Sequence, residues 1–286
     1  MHLTAADQRS RALAFRALHA TGHPFVIPNP WDAGTARILT GLGFPALATT
    51  SAGLAFALGR PDGMNLVSRA ETLENARAVV AATHLPVSAD LESGFADTPD
   101  DVAETIRLAG EVGLVGGSIE DATGRPDTPI HPFEVAVRRV TAAVTAARAL
   151  PFPFVVTARA ENFLYGRPDL ADTIRRLRAF EAAGVDVLYA PGLPDADAIG
   201  AVCAAVRQPV NVLAGGSGPA LSVAELAELG ATRISLGSAL PRAALAAVVD
   251  AATEITESGT FGFARAALPY HAANDLMSTD EGGADG

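Results

Sequence analysis

Asp90 and Glu92, two carboxylates two residues apart, stand in Val87-Ser-Ala-Asp-Leu-Glu-Ser-Gly-Phe-Ala96, an apolar run that passes into an acidic, glycine-bearing turn. Read as a strand end, the alternation of side chains puts both acids on one face. Carboxylates side by side repel each other unless a cation or a proton lies between them. A second acidic strand end, Gly116-Gly-Ser-Ile-Glu-Asp121, follows about one βα unit later. Several carboxylates with no histidine or cysteine cluster suit a hard, oxygen-preferring cation, Mg²⁺ or Mn²⁺ rather than Zn²⁺. Arg159, in Thr157-Ala-Arg-Ala-Glu-Asn162, offers a guanidinium that can grip a substrate carboxylate or phosphate, or pair structurally with Glu161. Thr49-Thr-Ser-Ala-Gly53 is a turn of small residues whose amides, at Ser51, Ala52 and Gly53, can face an anion. All 21 basic residues are arginine. With no lysine, no side-chain amine can form a Schiff base with a carbonyl substrate, so carbon–carbon chemistry here needs a metal or another electron sink.

Something must bring these residues together, and the rest of the chain supplies it. Residues 1–22 read as an amphipathic helix. A strand-plus-helix unit then repeats, with strands at Phe25–Asn29, Ala46–Thr50, Val87–Leu91, Leu114–Ile119, Phe154–Ala158, Val185–Tyr189, Val210–Ala214 and Arg233–Gly237. A long loop, Ser51 to Leu66, precedes a helix that Ser68 and Glu71 should open as a capping box. Eight short β-rich runs, each followed by a helix, predict a (β/α)₈ TIM barrel with an N-terminal helix and an extra C-terminal helix over Phe261–Met277. An eight-stranded doubly wound sheet is the alternative. The reading is a single domain over residues 1–277 and a disordered tail over 278–286. In such a barrel the strands' C-terminal ends form one rim, which places Ser51, Asp90, Glu92, Glu120, Asp121 and Arg159 together.

Composition narrows the partners. A net charge of −11 argues against nucleic acid or an anionic membrane surface. No run of about 18 apolar residues occurs, so no membrane span is expected. One cysteine, Cys203 in a helical pattern, excludes an internal disulfide and reads as a packing residue; a cytoplasmic location follows as the expectation. Ala214-Gly-Gly-Ser-Gly-Pro219 and Leu236-Gly-Ser-Ala239 follow the last two strands, where many barrels bind phosphate, which keeps a sugar-phosphate enzyme as a rival.

Trp31-Asp-Ala, Thr50-Ser-Ala-Gly53, Gly59-Arg-Pro-Asp62, Asp90-Leu-Glu-Ser-Gly-Phe95, Ser118-Ile-Glu-Asp121 and Ala158-Arg159, in that order, resemble the isocitrate lyase/phosphoenolpyruvate mutase superfamily. The resemblance runs from about Pro24 to Met277. It implies that Asp90 binds Mg²⁺ most directly, while Asp62, Glu92 and Glu120 hold the metal's waters. Glu92 stands where relatives often carry Asp. It further implies that Arg159 and the backbone around Ser51 and Ala52 clamp the substrate's carboxylate, with Arg159, Glu120 and Asp62 as the groups that act on it. A homotetramer built as a dimer of dimers, with exchanged C-terminal helices, is also implied.

The departures bear on the reaction. The Lys-Cys-Gly-His loop of the isocitrate and methylisocitrate lyases is replaced by Ala122-Thr-Gly-Arg-Pro-Asp127, and the mutase-type lysine after Ile-Glu-Asp by Ala122. The loop can still serve as a lid, with Thr123, Arg125, Asp127 and His131 as its polar groups. The resulting expectation is a Mg²⁺-dependent lyase that breaks a C–C bond of a 2-oxo or 2-hydroxy acid through a pyruvate enolate, by oxaloacetate decarboxylation or retro-aldol cleavage. C–P bond chemistry is the enzymic alternative. A dicarboxylate-binding barrel without turnover is the non-enzymic one.

Overall fold

The computed structural model describes residues 3–95, 97–216, 218 and 220–278. Its strands are β1 (Phe25–Ile27), β2 (Leu47–Ala48), β3 (Val87–Asp90), β4 (Gly116–Glu120), β5 (Val155–Arg159), β6 (Val187–Tyr189), β7 (Val210–Leu213) and β8 (Arg233–Ser235). All seven strand pairings are parallel, in the order β1-β8-β7-β6-β5-β4-β3-β2. Between β1 and β2 a single bond from the Ala48 amide to the Pro28 carbonyl, 3.0 Å, brings the sheet round to a nearly closed barrel. This is the expected (β/α)₈ architecture.

The helices are α1 (Ala5–Leu18), α2 (Ala33–Gly41), α3 (Ser51–Ala57), α4 (Arg69–Ala82), α5 (Pro99–Glu111), α6 (Phe133–Arg148), α7 (Leu170–Ala182), α8 (Ala196–Ala205), α9 (Val223–Glu228), α10 (Ala239–Ser258) and α11 (Tyr270–Met277). The strands are short runs buried on both faces, as a parallel sheet wrapped in helices demands. One apolar layer lies between sheet and helices, around Ile106, Leu114, Ile119, Leu177 and Phe180. A second fills the barrel's lower interior with Phe25, Ile27, Val155 and Val187, closed from below by Ala12 and Phe15 of α1. The predicted capping box of Ser68 and Glu71 opens α4.

Two expectations are corrected. The Ser51–Leu66 stretch is not all loop: Thr50 caps α3, because its Oγ1 accepts from the Gly53 amide at 3.2 Å. Nor is Phe261–Met277 one helix. A 3₁₀ turn, Gly262–Arg265, ends before Pro269, which caps α11 and has no N–H with which to continue a helix through it. The tail expected to be disordered lies outside the described residues apart from Ser278. Among the described residues no helix is long and apolar enough to cross a membrane.

At the barrel floor the His19 ring packs edge-on between Phe15 and Phe25, with centroids 4.9 and 5.1 Å away, and its Nδ1 meets the Phe15 carbonyl at 2.8 Å. Burial, and next the Arg233 charge, pull its pKa down to about 3. The unfolded chain, near 6.5, therefore takes up a proton that the folded one declines, and stability falls as pH drops below about 6.5. Replacing His19 by phenylalanine should remove roughly 1–2 kcal/mol of the stability lost between pH 7 and pH 4.5. Urea midpoints of both proteins at the two pH values check this; an equal loss would show that another group titrates.

Candidate functional site

Asp90 ends β3, Glu120 ends β4, Arg159 ends β5 and Tyr189 ends β6. In adjacent parallel strands, residues in register share a face, and Glu120, Arg159 and Tyr189 are in register. The common edge of four strands thus carries two acids, a guanidinium and a phenol. Asp90 is fixed from several sides. Its Oδ1 accepts from Arg159 Nη1 at 3.0 Å, the Glu92 amide at 3.2 Å and Ser118 Oγ at 3.3 Å; its Oδ2 accepts from Ser51 Oγ at 2.9 Å. Its own amide donates to Thr49 Oγ1 at 3.1 Å.

Arg159 carries three carboxylates: Asp90 through Nη1, Glu120 through Nη2 at 3.2 Å, and Glu161 through Nε at 2.7 Å. Its guanidinium also lies 5.2 Å from the centroid of the Tyr189 ring. Both readings of this arginine are therefore present in one residue, a rim cation and a partner for Glu161. Tyr189 was not singled out by sequence. Its position at the end of β6 was the available signal.

The Asp90–Glu92 relation has a different origin from the one expected. The strand stops at Asp90, and Glu92 sits in the following turn with φ +48, so strand alternation does not align the two acids. The turn brings them into electrostatic contact all the same. Burial, then the charges of Asp90 and Asp62, push the Glu92 pKa up to about 8. Asp62, from the loop after α3, is raised by burial and by Asp90. Glu120 and Glu161 are raised by burial, against the pull of Arg159. Burial also opposes the charge on Asp90, but Arg159 and the Ser51 bonds outweigh it, and its pKa ends below the ordinary value.

Five carboxyl groups therefore surround one guanidinium. A left-handed φ costs a non-glycine residue about 1 kcal/mol. Glu92→Gly should accordingly raise stability by roughly 1–2 kcal/mol at pH 8, where the Glu92 charge is least tolerated, and by less at pH 5. A urea midpoint at pH 8 that falls instead would show the carboxylate to be a net stabiliser.

Below this rim lies a cavity of about 160 Å³, lined among others by Ser51, Ala52, Asp62, Asp90, Arg159 and Tyr189. Gly53 is not in the lining: its amide is bonded to Thr50, and a Cβ on it would come within 2.6 Å of Thr50 Cγ2 and 2.9 Å of Trp31 Cβ. Packing therefore accounts for this glycine. Asp121 also faces elsewhere, buried against Arg176 Nη1 at 2.9 Å and the Glu161 amide at 2.8 Å. His131 is buried rather than solvated, and burial takes its pKa down to about 4. The amides of Leu236 and Gly237, which a phosphate after β8 would need, both donate to Asn29 Oδ1 at 2.9 Å. This occupies the turn on which half of the sugar-phosphate reading rested. Of the other half, Ala214 to Pro219, only Ser217 and Pro219 lie outside the described residues, and the Ala214 amide is taken by the Ser235 carbonyl at 2.8 Å.

The donor set fits a divalent cation. It is all oxygen, and four of its acids are held above their ordinary pKa, by burial first and by neighbouring carboxylates after it, so a cation among them would favour their charged forms. Among the described residues no three acid, histidine or cysteine side chains converge as a ready cage. That combination suits Mg²⁺, which keeps several waters and takes one or two carboxylates.

The model of the family described as phosphoenolpyruvate phosphomutase matches residues 15–256. The chain belongs to this family. Within the family, a Burkholderia cenocepacia J2315 crystal structure assigned as a lyase/mutase is 58% identical, with TM-score 0.94, covering 96% of this chain and 98% of that one. A 2-methylisocitrate lyase of Shewanella oneidensis is 30% identical over 79% of this chain and 78% of its own. An oxaloacetate decarboxylase of Chromohalobacter salexigens is 29% identical over 84% and 83%. The structure of a phosphonopyruvate hydrolase complexed with oxalate and Mg²⁺ is 25% identical, with TM-score 0.83, over 93% and 94%. The superfamily expected from the motifs is thereby established, and the chain is an enzyme of a family that includes carbon–carbon lyases.

Proposed function

We propose that this enzyme is a Mg²⁺- or Mn²⁺-dependent lyase that breaks a C–C bond of a small 2-oxo or 2-hydroxy dicarboxylic acid, with oxaloacetate decarboxylation as the leading reaction. The observation that carries this reading is the small cavity under a rim where Arg159 and five acids meet. It holds about 160 Å³ and opens to solvent, which gives room for a four-carbon diacid beside the acids.

In the proposed complex Asp90 is the principal metal ligand, and Asp62, Glu92 and Glu120 hold the metal's waters. A bound divalent cation would polarise the substrate's carbonyl oxygen and stabilise negative charge that develops there. Arg159 grips the carboxylate beside that carbonyl, helped by Ser51 and the Ala52 backbone, and so fixes the direction of the scissile bond. In decarboxylation the C3–C4 electron pair moves toward the carbonyl oxygen as CO₂ leaves, and a proton then returns to C3 to give pyruvate. No acid is needed to protonate a departing carbanion. That agrees with Ala122-Thr-Gly-Arg-Pro-Asp127, which has neither lysine nor cysteine.

The test is release of pyruvate from oxaloacetate, methylisocitrate, dimethylmalate and phosphonopyruvate, and of glyoxylate from isocitrate, each above a protein-free blank, with Mg²⁺ and again with chelator. Chelator-sensitive turnover of oxaloacetate is expected. Turnover that survives chelation, or silence on every acid by protein shown to bind Mg²⁺, would overturn the reading; in the second case the barrel binds without catalysing.

The assembly belongs to the same proposal. Pro241 is the one buried residue of α10, whose Val248 and Val249 are exposed, as are Phe261, Leu268 and Tyr270 beyond it. Apolar surface of this extent asks for a partner. We expect a dimer of dimers with exchanged C-terminal helices, about four times the chain mass of 29.2 kDa by light scattering. A monomer at micromolar concentration would refute it.

A further inference from the structure

A second guanidinium lines the cavity, and among the described residues no carboxylate pairs with it. Arg233 opens β8, and the register from β4 to β8 runs Glu120, Arg159, Tyr189, Asn211, Arg233. Residues in register on parallel strands leave the sheet on one face, here the barrel interior. Arg233 is 6% exposed and lines the cavity together with Arg159, Asn211 and Ser235. Its Nε donates to Asn211 Oδ1 at 2.8 Å and its Nη2 to Thr157 Oγ1 at 3.0 Å. Its Nη1 is buried and has no hydrogen-bond partner among the described residues.

The contrast with Arg159 is chemical. Arg159 is shared among three carboxylates, whereas among the described residues none forms an ion pair with Arg233. Burying a charge without a counter-ion is costly, and a guanidinium presents two parallel N–H donors suited to a carboxylate. From the unpartnered Nη1 and the lining of the cavity we infer that Arg233 receives the distal carboxylate of the ligand. It thereby makes the site selective for diacids over monoacids of the same length. The inference rests on the reading of this cavity as the substrate site, and it adds the residue that would set chain length and charge. Asn211, which accepts from Arg233 and donates to Ser235 Oγ at 2.9 Å, would hold the guanidinium in place.

The decisive experiment is calorimetric titration of the full-length, Mg²⁺-loaded protein with malate and with 2-hydroxybutyrate. These acids differ by a distal carboxylate in place of a methyl group. A charge-assisted pair of this kind is expected to make malate bind roughly 30-fold tighter. Arg233→Met should erase most of that margin by weakening malate at least about tenfold, while 2-hydroxybutyrate changes less than about twofold. Arg233→Gln keeps a donor for Thr157 and carries the same expectation should the methionine variant fail to fold. Equal binding of the two acids by the unaltered protein, or equal weakening of both in the variants, would overturn the inference and leave Arg233 a structural residue. The two proposals fail separately. Lost malate preference without turnover of any acid keeps Arg233 and removes the reaction, whereas oxaloacetate turnover with unchanged preference does the reverse.

Discussion

Replacing Arg159 by methionine is expected to lower folding stability by about 3–5 kcal/mol at pH 8, because a buried ion network loses its one cation. Asp90, Glu120 and Glu161 would be left facing one another with nothing between them. The sign of the pH dependence distinguishes this cause from simple loss of packing. Burial already raises the pKa of Glu120 and Glu161, and Arg159 is the group that restrains the rise. Without it, the folded state holds protons that the unfolded chain, with carboxyls near 4.3, gives up. A group with a raised folded pKa destabilises increasingly as pH climbs from the unfolded value to the folded one. The variant should therefore recover stability as pH is lowered from 8 toward 5.5, while the parent protein, with Arg159 in place, changes less. Urea midpoints at the two pH values decide it; a pH-independent deficit would mean that shape, not charge, was lost.

Asp90→Ala should lower kcat on the order of 10³-fold or more, the scale of removing a central electrostatic group, while the fold survives. The carboxylate collects donors from Arg159, Ser51, Ser118 and the Glu92 amide, more than the other rim acids gather. Those donors hold Asp90 ionised across the neutral range, which a metal ligand requires. Its removal leaves Arg159 paired with Glu120 and Glu161. The structural cost should therefore be far smaller than that of losing the arginine. Calorimetry should find Mg²⁺ binding abolished in the same variant. A variant that keeps its Mg²⁺ affinity but loses turnover would move the metal to the other acids. Retained turnover would remove Asp90 from the mechanism.

Local pattern was enough for much of this molecule. The alternation of β-rich and helical runs reflects two periodicities, two residues and about 3.6 residues, that any chain segment displays without reference to its neighbours. Capping residues such as Ser68 with Glu71 act within one turn, so the start of α4 was legible in four consecutive residues. The barrel rule that strand ends share a rim then located Asp90, Glu120 and Arg159 before any contact was known. The absence of lysine, a property of composition alone, excluded Schiff-base chemistry. Helix α3 was missed because its seven residues are too few for a helical period to show against the surrounding glycines.

Other features depended on distances between residues far apart in the chain. Nothing near Arg159 in sequence, apart from Glu161, says that it will be shared among acids from three strand ends. Nor does any local signal separate Asp121, turned away onto Arg176, from its neighbour Glu120 on the rim. Glu92 reaches Asp90 electrostatically through a left-handed turn, not through strand alternation. Arg233 reads in sequence as one more arginine at a strand start, and only closure of the barrel brings it to the cavity with no carboxylate paired to it among the described residues. Which elements form, and which residues stand at their ends, could be read from local sequence because hydrogen bonding and side-chain periodicity act over a few residues. Tertiary structure alone decided which charges meet, because an ion pair depends on a few ångströms between strands that are tens of residues apart.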